Sequence, residues 1–183
     1  GSYLNALQPW KEYPFSIEYT LYDQNNTPIA RLQHTFKIQV TNLGTPPVEQ
    51  QYSISISSQA TNGLLEFKTI ADYVNGKEVT YPNGLVVASN TNYQVTVRSS
   101  QFSSVAGNAL PLSVVNLQIS NSSQTTNPIP LSTTPQTLLE GASTNNTAIS
   151  YDIKYYTGKN DQRLFNAPSD NYSASLIYEI SPR

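Results

Sequence analysis

The 183-residue sequence contains no cysteine and no methionine, and it has one histidine and one tryptophan. Without cysteine there is no disulfide, no thiolate metal site and no cysteine nucleophile, so stability has to come from packing. A secreted eukaryotic domain of this size commonly carries a disulfide, and the lack of one shifts the expectation toward a bacterial surface. Charge is scarce as well. Asp, Glu, Lys and Arg make up 12% of the chain, ten basic against twelve acidic residues, for a formal net charge of −2. No Lys/Arg cluster is present that could neutralise a row of phosphates, so nucleic acid is not an expected partner. No apolar run is long enough to cross a bilayer, and a soluble chain that does not span a membrane is expected.

Hydrophobic residues amount to 38% and include thirteen tyrosines. They come in short β-branched or aromatic runs, and the polar remainder is mostly Ser, Thr, Asn and Gln, a usage that suits exported bacterial proteins. The length fits one large β domain, expected over residues 3–183. Gly1-Ser2 reads as a cloning scar on a mature segment whose export signal has been removed. Residues 3–14, with Leu4, Leu7, Trp10 and Tyr13 among prolines and polar residues, form either a first strand or an N-terminal arm able to complete a neighbour's sheet.

Two-residue alternation is the main signal. At the end of the chain Tyr172, Ala174, Leu176, Tyr178 and Ile180 interleave with Ser173, Ser175, Ile177, Glu179 and Ser181, which predicts a strand with one buried face. Ile149, Tyr151, Ile153 and Tyr155 alternate in the same way, and the two segments are expected to be neighbouring antiparallel strands. Between them, 158–170 is a polar connection anchored by Leu164 and Phe165. Earlier strands are predicted around Phe15 to Leu21, Phe36 to Val40 and Tyr52 to Ile56, then Leu64 to Phe67, Leu85 to Ala88, Tyr93 to Val97 and Val114 to Ile119. A hairpin is expected around Asn75-Gly76. Thr69 to Val74 could make one helical turn, and very little helix is expected elsewhere. The Pro-rich stretch 120–135 reads as an edge strand crossing between sheets, with an interdomain linker as the alternative. These features define an all-β, immunoglobulin-like or Greek-key sandwich.

Catalytic chemistry has few places to reside. A serine-type triad needs a base, and His34 falls on the apolar parity of its strand without a nucleophile elbow anywhere in the chain. The carboxylates are Glu12, Glu18, Asp23, Glu49, Glu66, Asp72, Glu78, Glu140, Asp152, Asp161, Asp170 and Glu179. Glu18, Asp152 and Glu179 take outward strand positions and most others lie beside turns, so a catalytic pair is not expected. Lys159-Asn160-Asp161 and Ser169-Asp170-Asn171 come nearest to a calcium loop, with one carboxylate each, and read as turns. Zinc would have one histidine and no cysteine. No catalytic, cofactor or metal site is therefore expected. Tyr22 and Tyr156, opposite the apolar parity, are the best candidates for stacking on a sugar.

Four stretches, Phe67 to Gly76, Leu85 to Val97, Leu131 to Leu139 and Tyr172 to Ile180, resemble exported β domains of Bacteroidetes-type bacteria described as adhesins or fimbrial proteins. Their order spans residue 64 to the C-terminus. The pattern from Pro168 through Tyr172, Ala174, Leu176, Tyr178 and Ile180 is similar to the last strand of pilin-like and spore-coat-like sandwiches. The resemblance implies a surface-exposed sandwich with no catalytic residues to carry over. The expected function is a non-catalytic structural or adhesive surface module, such as a fimbrial or fibre subunit, that meets a protein partner or itself through sheet edges. The alternative is a carbohydrate-binding module that takes surface glycans.

Overall fold

The structure, a computed structural model, describes residues 11–39 and 49–183. The chain divides into two compact units, residues 1–49 and 50–183.

The first unit contains β1 (Glu12–Tyr22) and β2 (Pro28–Gln39), an antiparallel pair with Phe15 opposite Phe36 and Ile17 opposite His34. The turn forms because the Asp23 carboxylate accepts hydrogen bonds from the backbone N–H groups of Asn25 and Thr27, both at 2.8 Å. Asn26, which tolerates the left-handed backbone, sits there at φ 63°. Two-residue alternation then sorts the hairpin into two faces. Ion pairs Glu12–Lys37 and Glu18–Arg31 mark one, and stacked Phe15 and Phe36 mark the other.

The second unit runs β3 (Tyr52–Ile56), α1 (Ile70–Asn75), β4 (Glu78–Ser89), β5 (Tyr93–Ser99), β6 (Ser103–Ser104), β7 (Val115–Ser120), β8 (Ile129–Pro130), β9 (Gln136–Gly141), β10 (Ile149–Thr157), α2 (Gln162–Phe165), β11 (Tyr172–Ser173) and β12 (Leu176–Pro182). It is an all-β sandwich. One sheet has the order β3-β4-β10-β7-β8 and the other β12-β5-β9, while β6 and β11 form a two-residue pair. All these pairings are antiparallel. The inward positions of the larger sheet, Leu85, Val87, Leu117, Ile119, Tyr151 and Ile153, share one core with Tyr93, Val95, Val97, Leu138 and Leu139 of the smaller sheet. The hydroxyls of Tyr155 on β10 and Tyr178 on β12 meet at 2.8 Å, tying the sheets together at the margin of that core. Burial pushes the pKa of both phenols up. Tyr93 is raised in the same way, chiefly by burial and then by the neighbouring Tyr151.

Several expectations are revised. The segments 149–155 and 172–180 are not neighbours: β10 lies between β4 and β7, whereas β12 pairs with β5 in the opposite sheet. The terminal strand is also interrupted at Ala174-Ser175. No strand forms at Leu64 to Phe67, and Asn75-Gly76 closes a helix instead of a hairpin. The Asp72 carboxylate accepts from the N–H groups of Lys68 and Thr69, both at 2.8 Å, and caps that helix at its start. Gly76 follows it at φ 74°, a positive φ that glycine adopts without steric cost. The stretch 120–135 does contain the expected short edge strand, β8 on β7, leading into β9 of the other sheet. The described residues of the strands predicted at Phe15 to Leu21 and Phe36 to Val40 pair with each other. Residues 3–10 of the expected N-terminal arm, Gly1-Ser2 and Val40 lie outside the described residues.

Candidate functional site

The side chains singled out for chemistry make the following contacts. His34 faces the apolar side of the hairpin with its ring edge-on to Phe36, 4.3 Å between centroids. Asp152 accepts the Asn83 N–H at 2.8 Å where the β4–β10 register shifts. Asp161 caps α2 and is gripped by Arg163, whose guanidinium holds the Asp161 carboxyl below its usual range. Asp170 is held low by the Ser104 hydroxyl and the Asn171 N–H. Asp72 pairs with Lys77, the main reason its carboxyl is depressed. Glu66, Glu78, Glu140 and Glu179 each meet a different cation. Among the described residues no three His, Asp or Glu side chains are placed to share a metal ion. Tyr22 and Tyr156 fall in different units, and the Lys154 ammonium lies over the Tyr156 ring at 5.5 Å.

Among the described residues, the outer side of β12 has no ladder partner. Ser100 N–H donates to the Ser175 carbonyl at 2.8 Å and Arg183 N–H to the Asn92 carbonyl at 2.9 Å, fixing the phase of the ladder with β5. Hydrogen-bonded and non-hydrogen-bonded positions alternate in an antiparallel pair. Residues 177, 179 and 181 therefore bond to β5, while the N–H and C=O groups of Leu176, Tyr178 and Ile180 point away from it. Among the described residues no strand is hydrogen-bonded to that side, because β12 is the edge of its sheet. The core thins out at the same place. Tyr93, Val95 and Val97 on β5 are buried, but Leu176, Tyr178 and Ile180 on β12, with Ile54 and Ile56 on β3, are only half-buried. β3 is the edge of the larger sheet and lies beside β12. Two edges with alternating apolar side chains thus border one margin of the sandwich. The sequence showed the alternation of β12 but carried no sign of which strand it would pair with.

No family model matches the chain, and no curated protein does. A solved structure from work on a chaperone–tip adhesin complex in CFA/I fimbriae biogenesis is similar over 98% of this chain, at 10% identity and a TM-score of 0.38. The chain corresponds to 55% of that structure's length. Among the described residues no helix is long and apolar enough to cross a membrane.

Proposed function

We propose that this chain is a non-catalytic structural or adhesive module of a bacterial surface, a fimbrial or fibre subunit of pilin-like type working outside the cytoplasm. It meets a protein partner, or further copies of itself, by strand addition at β12. The observation that carries this reading is the β12 edge, where backbone groups with no ladder partner among the described residues coincide with a half-buried row of apolar side chains. Such an edge is a template for an added strand, with main-chain hydrogen bonds for affinity and alternate side-chain contacts for selectivity. The engagement of the carboxylates in turns, caps and ion pairs supports a non-catalytic role, as does the cysteine-free, weakly charged composition.

Residue-resolved amide hydrogen exchange tests the edge. In dilute monomer the N–H groups of Leu176, Tyr178 and Ile180 should exchange quickly, while those of Ile177, Glu179 and Ser181 are protected by β5. In the assembled protein, with assembly followed by light scattering, the first set should become protected as well. Assembly that leaves the first set unprotected would rule out pairing at β12.

A further inference from the structure

We infer that the open edge of β12 receives the β1–β2 hairpin of a second copy, with β2 as the strand laid against β12. This rests on the reading of β12 as an association edge and names its occupant.

The hairpin has a surface to cover. Phe15, Ile17, Tyr19 and Leu21 on β1 lie in register with Phe36, His34, Leu32 and Ala30 on β2. The large apolar members of this face are 38–66% exposed. A two-stranded ribbon is marginal in water by itself and gains stability from further strands or from packing its apolar face. The sandwich margin at β3 and β12 offers both, a row of backbone groups without a ladder partner among the described residues and an apolar floor that ends half-buried. Each feature supplies what the other lacks.

Charge decides which hairpin strand faces β12. On the polar side of the hairpin, β1 carries Glu12 and Glu18, while β2 carries Arg31 and Lys37. The outward side of β12 carries Glu179, whose side chain is 57% exposed and whose carboxylate lies 3.9 Å from the Arg98 guanidinium. With β2 alongside, two cations share the solvent face with that carboxylate. With β1 alongside, two further carboxylates would face it, and like charges on neighbouring strands are destabilising. The length is sufficient too, since β2 has 12 residues against 7 in β12.

The natural lack of cysteine gives a background-free test. Chains carrying only Gln33→Cys, on the polar side of β2, are mixed with chains carrying only Ile177→Cys, on the outward side of β12, and oxidised at a concentration where light scattering shows assembly. Arg31→Cys and Thr35→Cys serve as register alternatives, because a disulfide requires Cα atoms within about 7 Å. The expected result is a mixed disulfide between one of the β2 variants and Ile177→Cys as the dominant cross-linked species. Three results would overturn the inference. The first is cross-linking of Ile177→Cys only to itself. The second is a disulfide that forms only within one chain when both cysteines are placed in it. The third is no cross-link to any β2 variant. In each case the exchange of Leu176, Tyr178 and Ile180 amides is read on the same assemblies. Protection without a β2 cross-link rejects the hairpin and keeps the edge, whereas no protection rejects both.

Discussion

Gly141, the last residue of β9, stands opposite Tyr93 of β5. A Cβ on Gly141 would lie 2.5 Å from the Tyr93 hydroxyl oxygen and 2.7 Å from its Cε1. Comfortable contacts between carbon atoms are about 3.5–4.0 Å, so Gly141→Ala forces an overlap on the order of 1 Å at several ring atoms. The ring has nowhere to go, because Tyr93 is 1% exposed and sits in the middle of the core. Overpacking of this kind costs about 1–3 kcal/mol. In urea unfolding, Gly141→Ala should lower the midpoint without changing the slope, and in a thermal scan it should lower Tm by roughly 2–4 °C for each kcal/mol lost. The partner variant isolates the cause. Tyr93→Leu removes the ring, and in that background Gly141→Ala should cost almost nothing, an interaction energy of about 1–3 kcal/mol in the double-mutant cycle. A loss within about 0.5 kcal/mol for Gly141→Ala alone, the ordinary range for an indifferent substitution, would refute the close approach. So would an equal loss in both backgrounds.

Two further outcomes follow from the buried phenols. Tyr178→Phe leaves the Tyr155 hydroxyl without its partner in the core and should cost about 1–2 kcal/mol in urea unfolding, while Tyr155→Phe/Tyr178→Phe should recover most of that loss; a double variant as unstable as the summed singles would contradict the pairing. Tyr93, Tyr155 and Tyr178 hold their protons in the folded chain beyond the ordinary tyrosine value of 10.0, whereas in the unfolded chain they ionise there. The unfolded state then binds fewer protons, so stability falls as pH rises above about 10, by at most about 1.4 kcal/mol per pH unit for each tyrosine. Denaturation curves across that range should slope less steeply for the Phe double variant, and parallel slopes would contradict the assignment.

The parts of the fold that could be read in advance are those in which one residue's side determines its fate. The alternation of Ile149 to Tyr155, Tyr93 to Val97 and Leu176 to Ile180 places each residue on the face where the structure has it, because a pleated strand turns every second side chain the same way. Alternation is silent about partners. β10 and β12 have nearly the same pattern and lie in opposite sheets, meeting through Tyr155 and Tyr178 instead of through a ladder. Asn75-Gly76 misled for a related reason, since a positive φ at glycine serves a hairpin turn and a helix end equally well. The capping role of Asp72, three residues after Thr69, was the local cue for the helix. The open edge was beyond reach for the same cause as the sheet order: an unpaired strand and a paired one have the same sequence signature.

The central position of β10 bears on timing. Its contacts with β4 join residues far apart along the chain, the N–H of Asn83 reaching Asp152 across 69 residues and that of Lys77 reaching Thr157 across 80. Pairings this remote close slowly, because the loop entropy is lost before any contact compensates. β1 and β2, by contrast, are joined by one tight turn and can meet as soon as both have emerged. In a chain delivered from its N-terminus, the hairpin is ready first, and β4 waits with one side bare until residue 157 arrives. The receiving edge at β12 comes later still, so a growing chain can offer its hairpin before it is able to accept one.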